Sequence, residues 1–198
     1  MKNIICFSSQ KQSGKDAAAS HFIKIKGGDW TRQAFADGIK DSFCELFGVT
    51  KEFIEEWKEN PEIPPGFNIT CREALQFVGD GFRGIKSDVW IEYALRTAKD
   101  HDLVIPDGRY LNELARVKEC GGTIILIYRP GHLNNIKHLS EAEIRPIIKW
   151  FVDNDIPEGK FDHKLYNCNV QGVEFIDFYL INDGTLEDWQ NKIEEYLI

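Results

Sequence analysis

Short apolar runs alternate along this chain with stretches in which apolar residues recur at spacings of three and four. The runs predict buried strands, and the spaced positions predict helices that bury one face. Strands are expected at residues 2–7, 31–35, 103–105, 123–128 and 178–181. Helices are expected at residues 14–26, 37–47, 70–83 and 88–99, after residue 107 to about 119, and from about 186 onwards. This alternation is typical of a three-layer α/β/α fold with a parallel sheet.

Two segments show neither pattern. Residues 60–68 hold three prolines and a glycine, which predicts a loop. Residues 132–174 mix His, Asn, Asp and aromatic residues without clear periodicity, and a lid with an inserted hairpin is one interpretation. We therefore expect one domain spanning residues 1–198, with a helical region at about 36–100 and a lid or insert at about 130–175.

The net charge and the cysteine content indicate which classes of binding partner and cellular environment are expected. The formal net charge is -8, whereas a nucleic-acid-binding protein is usually basic, so no nucleic-acid partner is expected. Five cysteines without a C-x-x-C pair favour reduced thiols over a disulfide framework or a structural zinc site. The chain has no recognisable signal peptide and no apolar run long enough for a bilayer. A cytoplasmic protein without a membrane partner is expected.

Polar residues lie close to the ends of several predicted strands. Ser8, Asp107, Arg129 and Asn182 each fall just past such an end. Ligands of parallel α/β sheets bind at the carboxyl ends of the strands. This grouping predicts a ligand site at that edge of the sheet.

The stretch SQKQSGKD, residues 9–16, joins the first predicted strand to the first predicted helix. Gly14-Lys15 is how a phosphate-binding loop closes, with backbone N–H groups and a helix N-terminus around the phosphate. Lys15 would neutralise the outer phosphates, and Asp16 would bind Mg²⁺ directly or through water. Ser9 stands where such loops usually have Gly, and Asp16 where they have Ser or Thr. The alternative is a turn with a helix N-cap formed by Ser13 or Asp16.

Three polar residues share one face of the predicted helix at 70–83. Arg72, Gln76 and Arg83 recur at spacings that align them there. Arginine forks suit phosphate oxygens, and a glutamine amide can pair with the edge of a base. The alternative is a solvent-exposed charged face. The face expected to pack on the core carries Leu75, Val78 and Phe82.

Further charged residues follow other predicted elements. Asp107 comes after a buried strand and can hold a magnesium-bound water, and Arg109 can reach a phosphate in transit. A turn with a helix cap is equally compatible with this stretch. Lys40 is either a second phosphate ligand or a surface lysine.

The patternless segment contributes charges as well. Arg129 and Arg145 lie beside or within it and could close over bound phosphates from a lid, or be surface charges. A metal site at His132 and His138 is not favoured, because no further ligands lie at useful spacing.

Taken in order, these motifs resemble those of the phage-type deoxynucleoside monophosphate kinases, a P-loop nucleotide kinase family. The similar stretches are SGKD at 13–16, FADGIK at 35–40, REALQFVGD at 72–80 followed by Arg83 and Trp90, PDGR at 106–109, RPG at 129–131, HLSE at 138–141 and INDGTLE at 181–187. Aspartate at position 16 is usual in that family, whereas Ser9 replaces its glycine. Residues 147–174 look like an insertion before the final strand.

The resemblance implies transfer of the γ-phosphoryl group of ATP to a deoxynucleoside monophosphate, with Mg²⁺ as the metal. It also implies a turn at Asn182-Asp183-Gly184 near the adenine, a homodimer, and the host cytoplasm if a phage encodes the chain. The residues expected to bind ATP are Ser9, Lys11, Gln12, Ser13, Gly14, Lys15, Asp16, Ala17, Asn182 and Gly184. Those expected to bind the acceptor are Lys40, Arg72, Gln76, Arg83, Trp90 and Asp107. The expected catalytic residues are Lys15, Arg72, Arg83, Arg109 and Arg129, and the metal ligands Asp16 and Asp107.

Three alternatives stay open. One is a kinase of another small phosphorylated acceptor such as phosphomevalonate, whose animal kinases also carry an SGKD loop. Another is a nucleotide-binding module without transfer activity. The last is a structural α/β protein that binds no nucleotide.

Overall fold

The computed structural model describes residues 3–98, 100–131 and 142–198. The chain forms two compact units: a sheet unit, Met1–Gln33 with Ala98–Ile198, and a helical unit, Ala34–Thr97. The elements in chain order are β1 (Ile4–Ser9), α1 (Lys15–Lys26), β2 (Trp30–Arg32), α2 (Phe35–Phe47), α3 (Lys51–Trp57), α4 (Cys71–Ile85), α5 (Val89–Thr97), β3 (Asp102–Gly108), α6 (Leu111–Glu119), β4 (Thr123–Tyr128), α7 (Ile144–Asp153), β5 (Gly159–Lys160), β6 (Phe178–Ile181) and α8 (Leu186–Leu197).

Among the residues that the structure describes, the sheet unit has six strands in the order β2-β3-β1-β4-β6-β5. Each neighbouring pair is parallel except the edge pair, where the two-residue β5 runs antiparallel to β6. Strands buried on both faces read as continuous apolar runs, which is why residues 4–7 and 123–128 were recognisable from sequence. The predicted parallel α/β sheet is confirmed.

Helices cover both faces of this sheet. One face packs against α1 and α8 in a core of Phe7, Ala18, Ala19, Phe22, Val104, Ile125, Ile127, Leu180, Trp189 and Ile193. The other face packs against α6 and α7. There the ring centroids of Phe151 and Tyr179 lie 4.7 Å apart. Successive side chains of a strand point to opposite faces, so β1 sends Phe7 to one layer and Cys6 to the other.

The helical unit has its own core. Phe43, Ile54, Cys71 and Ala74 are buried together in it. The sequence analysis missed α3, although the hydroxyl of Thr50 caps it by accepting from the N–H of Phe53. It also set the start of α2 too late. Asp37 is the third residue of that helix, and its carboxylate accepts from the N–H of Ala34 at 2.8 Å.

The segment that showed no periodicity contains a helix after all. In α7, Ile144, Ile147, Ile148 and Phe151 are buried at the spacing of an amphipathic helix. Pro146 obscured that pattern, yet it occupies the first turn, where a missing N–H costs no intrahelical bond. Residues 144–153 therefore belong to the packed core of the sheet unit.

The remainder of this region packs beside α7. The ring of Phe161 stacks on Tyr166 with centroids 5.2 Å apart and meets Phe151 at 4.6 Å. The histidines His132 and His138, the HLSE stretch and the rest of residues 132–141 of the expected lid or insert lie outside the described residues. Within the described parts of the chain, no helix is both long and apolar enough to cross a membrane.

Replacing Phe151 by Ala tests the packing of α7. The ring is fully buried, so its loss should reduce the free energy of unfolding by about 3–5 kcal/mol. Urea denaturation measures this. The matched control is Lys149→Ala, which removes an exposed pair with Asp153 and should change stability by less than about 0.5 kcal/mol. Equal midpoints for the two variants would mean that α7 is only loosely attached.

Candidate functional site

The loop between β1 and α1, residues 9–17, is here called the phosphate loop. Its left-handed backbone positions are Gln12, with φ 63°, and Gly14, with φ 92°. Ser9 has no positive φ, so the residue that replaces the usual glycine is under no backbone strain. Its Oγ lies 2.5 Å from Ser13 Oγ and 3.1 Å from the carbonyl oxygen of Gln10. The Ser9 hydroxyl thus joins the start of the loop to its middle residue, Ser13.

Gly14 is required at its position for two reasons. A side chain there would be strained at positive φ, and an added Cβ would lie 2.3 Å from Asn182 Nδ2 and 3.1 Å from Trp189 Nε1. Asn182 Nδ2 donates to the carbonyl of Ser13 at 2.9 Å, and Trp189 Nε1 donates to the carbonyl of Gly14 at 3.1 Å. The loop is therefore packed directly against the carboxyl end of β6 and the first turn of α8.

The helix-cap interpretation of this motif is wrong. The N-cap of α1 is Gly14, which makes no side-chain cap hydrogen bond, and the Ser13 hydroxyl bonds to Ser9 instead. A helix that begins without a side-chain cap presents its first-turn N–H groups and its positive dipole end to whatever lies beyond. That is the arrangement of an anion-binding helix N-terminus.

Lys15 is 7% exposed, although it carries a charge. Burial lowers the pKa of its ammonium below the ordinary value of 10.5, and the nearby Arg109 lowers it further. The carboxylates of Asp16 and Asp107 act in the opposite direction. The structure thus brings four predicted site residues together, Lys15, Asp16, Asp107 and Arg109. A bound anion would relieve the cost of burying the ammonium.

Arg32 is a site residue that the sequence analysis missed. Its Nη2 lies 3.1 Å from Asp16 Oδ1, so it contributes another cation beside the phosphate loop. The predicted strand at 31–35 placed this residue inside a strand, whereas β2 ends at Arg32. The available signal was its position at the end of a short run that joins the parallel sheet.

The prediction that four polar residues lie just past strand ends is right for Arg129 and Asn182, whereas Asp107 and Ser8 are each the second-last residue of a strand. Asp107 lies within the last two residues of β3, Arg129 directly after β4, and Asn182 directly after β6. Arg129 Nη1 donates to the carbonyl of Gln12 at 3.2 Å, which places the guanidinium on the phosphate loop. Ser8 makes its contact within the sheet. It is buried inside β1, and its hydroxyl donates to the carbonyl of Gly108 at 2.9 Å.

A buried glutamate orders the turn that carries Arg109. Glu113 Oε2 accepts from the N–H groups of Arg109 at 2.9 Å and Tyr110 at 3.1 Å. Tyr110 is the N-cap of α6, so the helix cap in this stretch does not involve Asp107. The carboxylate of Asp107 raises the pKa of the Lys15 ammonium.

Each cation predicted to bind the acceptor has a carboxylate partner within the helical unit. Lys40 Nζ lies 2.9 Å from Glu55, and Arg83 Nη1 lies 3.4 Å from Asp80. Arg72 forms an ion pair with Glu59. A phosphate bound by any of them would have to replace that carboxylate.

Other features of α4 differ from expectation. Its fully buried side is made by Cys71, Ala74 and Gly79, while Leu75 and Val78 are half-buried and Phe82 is exposed. Trp90 is 3% exposed, and its Nε1 donates to the carbonyl of Gly79 at 3.0 Å. The indole therefore joins α5 to α4. A groove of about 420 Å³ on this unit is lined by Ile69, Glu73, Gln76, Phe77, Asp80 and Gly81.

The residues beside Lys15 suit Mg²⁺ bound together with phosphate. Within residues 3–98, 100–131 and 142–198, no group of three or more His, Cys, Asp or Glu could hold a metal ion alone. Magnesium in phosphate-handling sites needs only one or two carboxylates, with water and substrate oxygens as its other ligands. Asp16 and Asp107 supply two.

Comparison with known proteins finds a relative by sequence and structures with a similar fold. No family model matches the chain. A protein of Acanthamoeba polyphaga mimivirus, named "Putative deoxynucleotide monophosphate kinase", is 34% identical over 201 aligned residues, covering 92% of this chain and 90% of that one.

Two solved structures resemble the fold more distantly. The dephospho-CoA kinase of Campylobacter jejuni has a TM-score of 0.44 at 13% identity, covering 98% of this chain and 95% of that one. The shikimate kinase of Acinetobacter baumannii, in complex with shikimate, has a TM-score of 0.45 at 16% identity, covering 98% and 92%.

Replacing Lys15 by Met tests the burial of its charge. Since the pKa of Lys15 is lowered in the folded state, the unfolded state binds more protons between the folded and unfolded pKa values. The wild-type protein therefore bears the full penalty below the folded pKa and loses it as pH rises towards 10.5. We expect Lys15→Met to be the more stable protein at pH about 7, with a margin that shrinks at higher pH.

Urea unfolding of both proteins across that pH range measures the margin. Lys11→Met, which replaces an exposed lysine of the same loop, is the matched control and should leave stability nearly unchanged. A Lys15→Met margin that grows with pH would contradict the assignment.

Proposed function

We propose, because the chain belongs to the deoxynucleotide monophosphate kinase family, that it transfers the γ-phosphoryl group of ATP to a deoxynucleoside monophosphate. The products are ADP and a deoxynucleoside diphosphate. The observation that carries the proposal is the buried Lys15 ammonium at an uncapped helix N-terminus, with Asp16, Asp107 and Arg109 around it.

The phosphate loop is the proposed donor site. Its backbone N–H groups and the N-terminus of α1 would bind the β- and γ-phosphates of ATP, with the Lys15 ammonium on their oxygens. The loop positions concerned are Ser9, Lys11, Gln12, Ser13, Gly14, Lys15, Asp16 and Ala17. The turn at Asn182 and Gly184 is proposed to lie near the adenine.

The transfer itself is an in-line displacement. An oxygen of the acceptor phosphate forms a bond to the γ-phosphorus, the bond from that phosphorus to the β–γ bridging oxygen breaks, and ADP leaves with the electron pair. Such reactions depend on positioning and on charge neutralisation and need no covalent nucleophile. Lys15, Arg109 and Arg129 supply the neutralising cations, and Arg129 already contacts the loop at Gln12.

Mg²⁺ would be held by Asp16 and Asp107 through water and phosphate oxygens, and when bound it would neutralise charge on the phosphates. Arg32 keeps the carboxylate of Asp16 in a fixed direction through its contact at 3.1 Å. This cation therefore has a proposed role in orienting a metal ligand.

The helical unit is the proposed acceptor site. Lys40, Arg72 and Arg83 would bind the acceptor phosphate by exchanging their carboxylate partners for it. Gln76 lines the groove of about 420 Å³ on α4, where an amide can pair with the edge of a base. Trp90 would support this helix from behind through its bond to Gly79.

ADP release over a panel of acceptors tests the function. With ATP and magnesium, at least one deoxynucleoside monophosphate should increase ADP release well above the rate without acceptor, and phosphomevalonate should not. Lys15→Met should reduce the turnover number by roughly 100-fold or more, since it removes a cation from the transferring phosphate. Turnover with phosphomevalonate alone would support the other kinase, and tight ATP binding without any turnover would support a binding module.

Replacing Arg72 by Ala tests the acceptor site. The loss of a charged hydrogen bond to phosphate should raise the KM for the acceptor roughly 10- to 100-fold and leave the KM for ATP unchanged. Glu59→Gln removes the competing partner of Arg72 and should lower the acceptor KM.

The matched control for Arg72 is Arg96→Ala. Arg96 is an exposed arginine of the same unit that lies over the ring of Tyr93, and its removal should leave both KM values near those of the wild type. If Arg72→Ala raises the KM for ATP instead, the donor and acceptor assignments are reversed.

A further inference from the structure

Two side chains from the C-terminal part of the chain bind consecutive carbonyls of the phosphate loop. Asn182 Nδ2 donates to Ser13 and Trp189 Nε1 donates to Gly14, across 169 and 175 residues of sequence. The Gly14 carbonyl also accepts the N–H of Ala18 at 2.9 Å, so the indole is its second donor. We call Asn182 and Trp189 the carbonyl brace.

Both members of the brace are held rigidly. Asn182 is 7% exposed, and its backbone N–H donates to the carbonyl of Tyr128 at 2.8 Å, which fixes it to the end of β4. Trp189 is 2% exposed and belongs to the core between the sheet and α1. Its backbone N–H donates to the carbonyl of Thr185, the N-cap of α8.

A lysine clamp secures the turn that carries Asn182. Lys192 Nζ donates to the carbonyl of Ile181 at 2.7 Å and to carboxylate oxygens of Glu158 and Asp183 at 3.0 Å. Two of these partners, Ile181 and Asp183, are the residues on either side of Asn182. The amide is therefore delivered to the loop from a constrained backbone.

The geometry of the peptide bond links these contacts to phosphate binding. In a planar trans peptide, the C=O of one residue and the N–H of the next point in opposite directions. A Ser13 carbonyl bound to Asn182 turns the Gly14 N–H away from the core, and a Gly14 carbonyl bound to Trp189 does the same for the Lys15 N–H. The brace also prevents a carbonyl from turning towards the phosphates, where it would repel them.

We infer that Asn182 and Trp189 are positioning residues that hold the N–H groups of Gly14 and Lys15 towards the triphosphate of ATP. The inference rests on the proposed function and deepens its donor site. It gives Asn182 a role different from contact with the adenine, because its amide points at the loop. It also explains why position 14 must be glycine, since a Cβ there would lie 2.3 Å from that amide.

Binding of two probes, ATP and inorganic tripolyphosphate, each with magnesium, tests the brace by titration calorimetry. Asn182→Ala and Trp189→Phe each remove one hydrogen bond to the loop. Each should weaken both probes by a similar factor, roughly three- to tenfold, because the loop binds the polyphosphate that they share. In steady-state kinetics the KM for ATP should rise, while the KM for the acceptor stays unchanged.

Asn182→Asp provides a second variant if Trp189→Phe fails to fold. Its carboxylate would face the Ser13 carbonyl and should weaken tripolyphosphate more than Asn182→Ala does. One control is Asn154→Ala, which removes a hydrogen bond from the side-chain amide to the carbonyl of Trp150. The other is Trp150→Phe, which alters an aromatic cluster away from the loop. Both should bind the two probes as the wild type does.

The outcomes separate the brace from its rivals. If Asn182→Ala weakens ATP but not tripolyphosphate, the residue contacts the adenine side and the brace is refuted. If folded variants melt earlier but bind both probes normally, the contacts are purely structural and the brace is equally refuted. A wild-type protein that binds neither probe would overturn the proposed function itself.

Discussion

The buried ammonium of Lys15 is the constraint on which the arrangement of charges at the candidate site depends. A charge that is 7% exposed is costly unless carboxylates or a bound anion compensate it. Asp16 and Asp107 compensate in part, yet burial still lowers the pKa of the lysine. Phosphate oxygens bound at the loop would add further negative charge beside this ammonium. Burying the ammonium costs stability, and an anion bound beside it would offset that cost.

The parallel sheet makes that arrangement possible, because it brings the carboxyl ends of distant strands to one edge. Residues 102–108 supply Asp107, residues 123–128 lead to Arg129, and residues 178–181 lead to Asn182. None of these is near Lys15 in sequence. Each lies within or directly after the last two residues of a strand, so the strands hold these site residues in place.

Local patterns in the sequence were enough for every strand that the structure describes except the two-residue β5, and for most helices and the phosphate loop, since each depends on neighbours within a few residues. Contacts that depend on tertiary structure were not predictable in the same way. Trp189 read as one position of an amphipathic face, and nothing nearby marked its N–H as a donor to Gly14. Arg32 was hidden inside a strand that proved shorter than its pattern, and α7 was hidden by a proline that its first turn tolerates. The residues that were missed support the site from other elements, whereas the motif residues could be identified from short stretches of sequence.

The helical unit handles charge in a different way from the sheet unit. Lys40, Arg72 and Arg83 are partly exposed and paired with carboxylates, so burial places no comparable demand on them. Exposed ion pairs contribute little to stability, and a partner that contributes little is easily replaced. A phosphate monoester carries up to two charges near neutral pH and three oxygens for a guanidinium fork, so it competes well against a single carboxylate. A neutral nucleoside offers no such group, so the carboxylates would keep their places. In the proposed reaction, this exchange favours acceptors that already carry a phosphate.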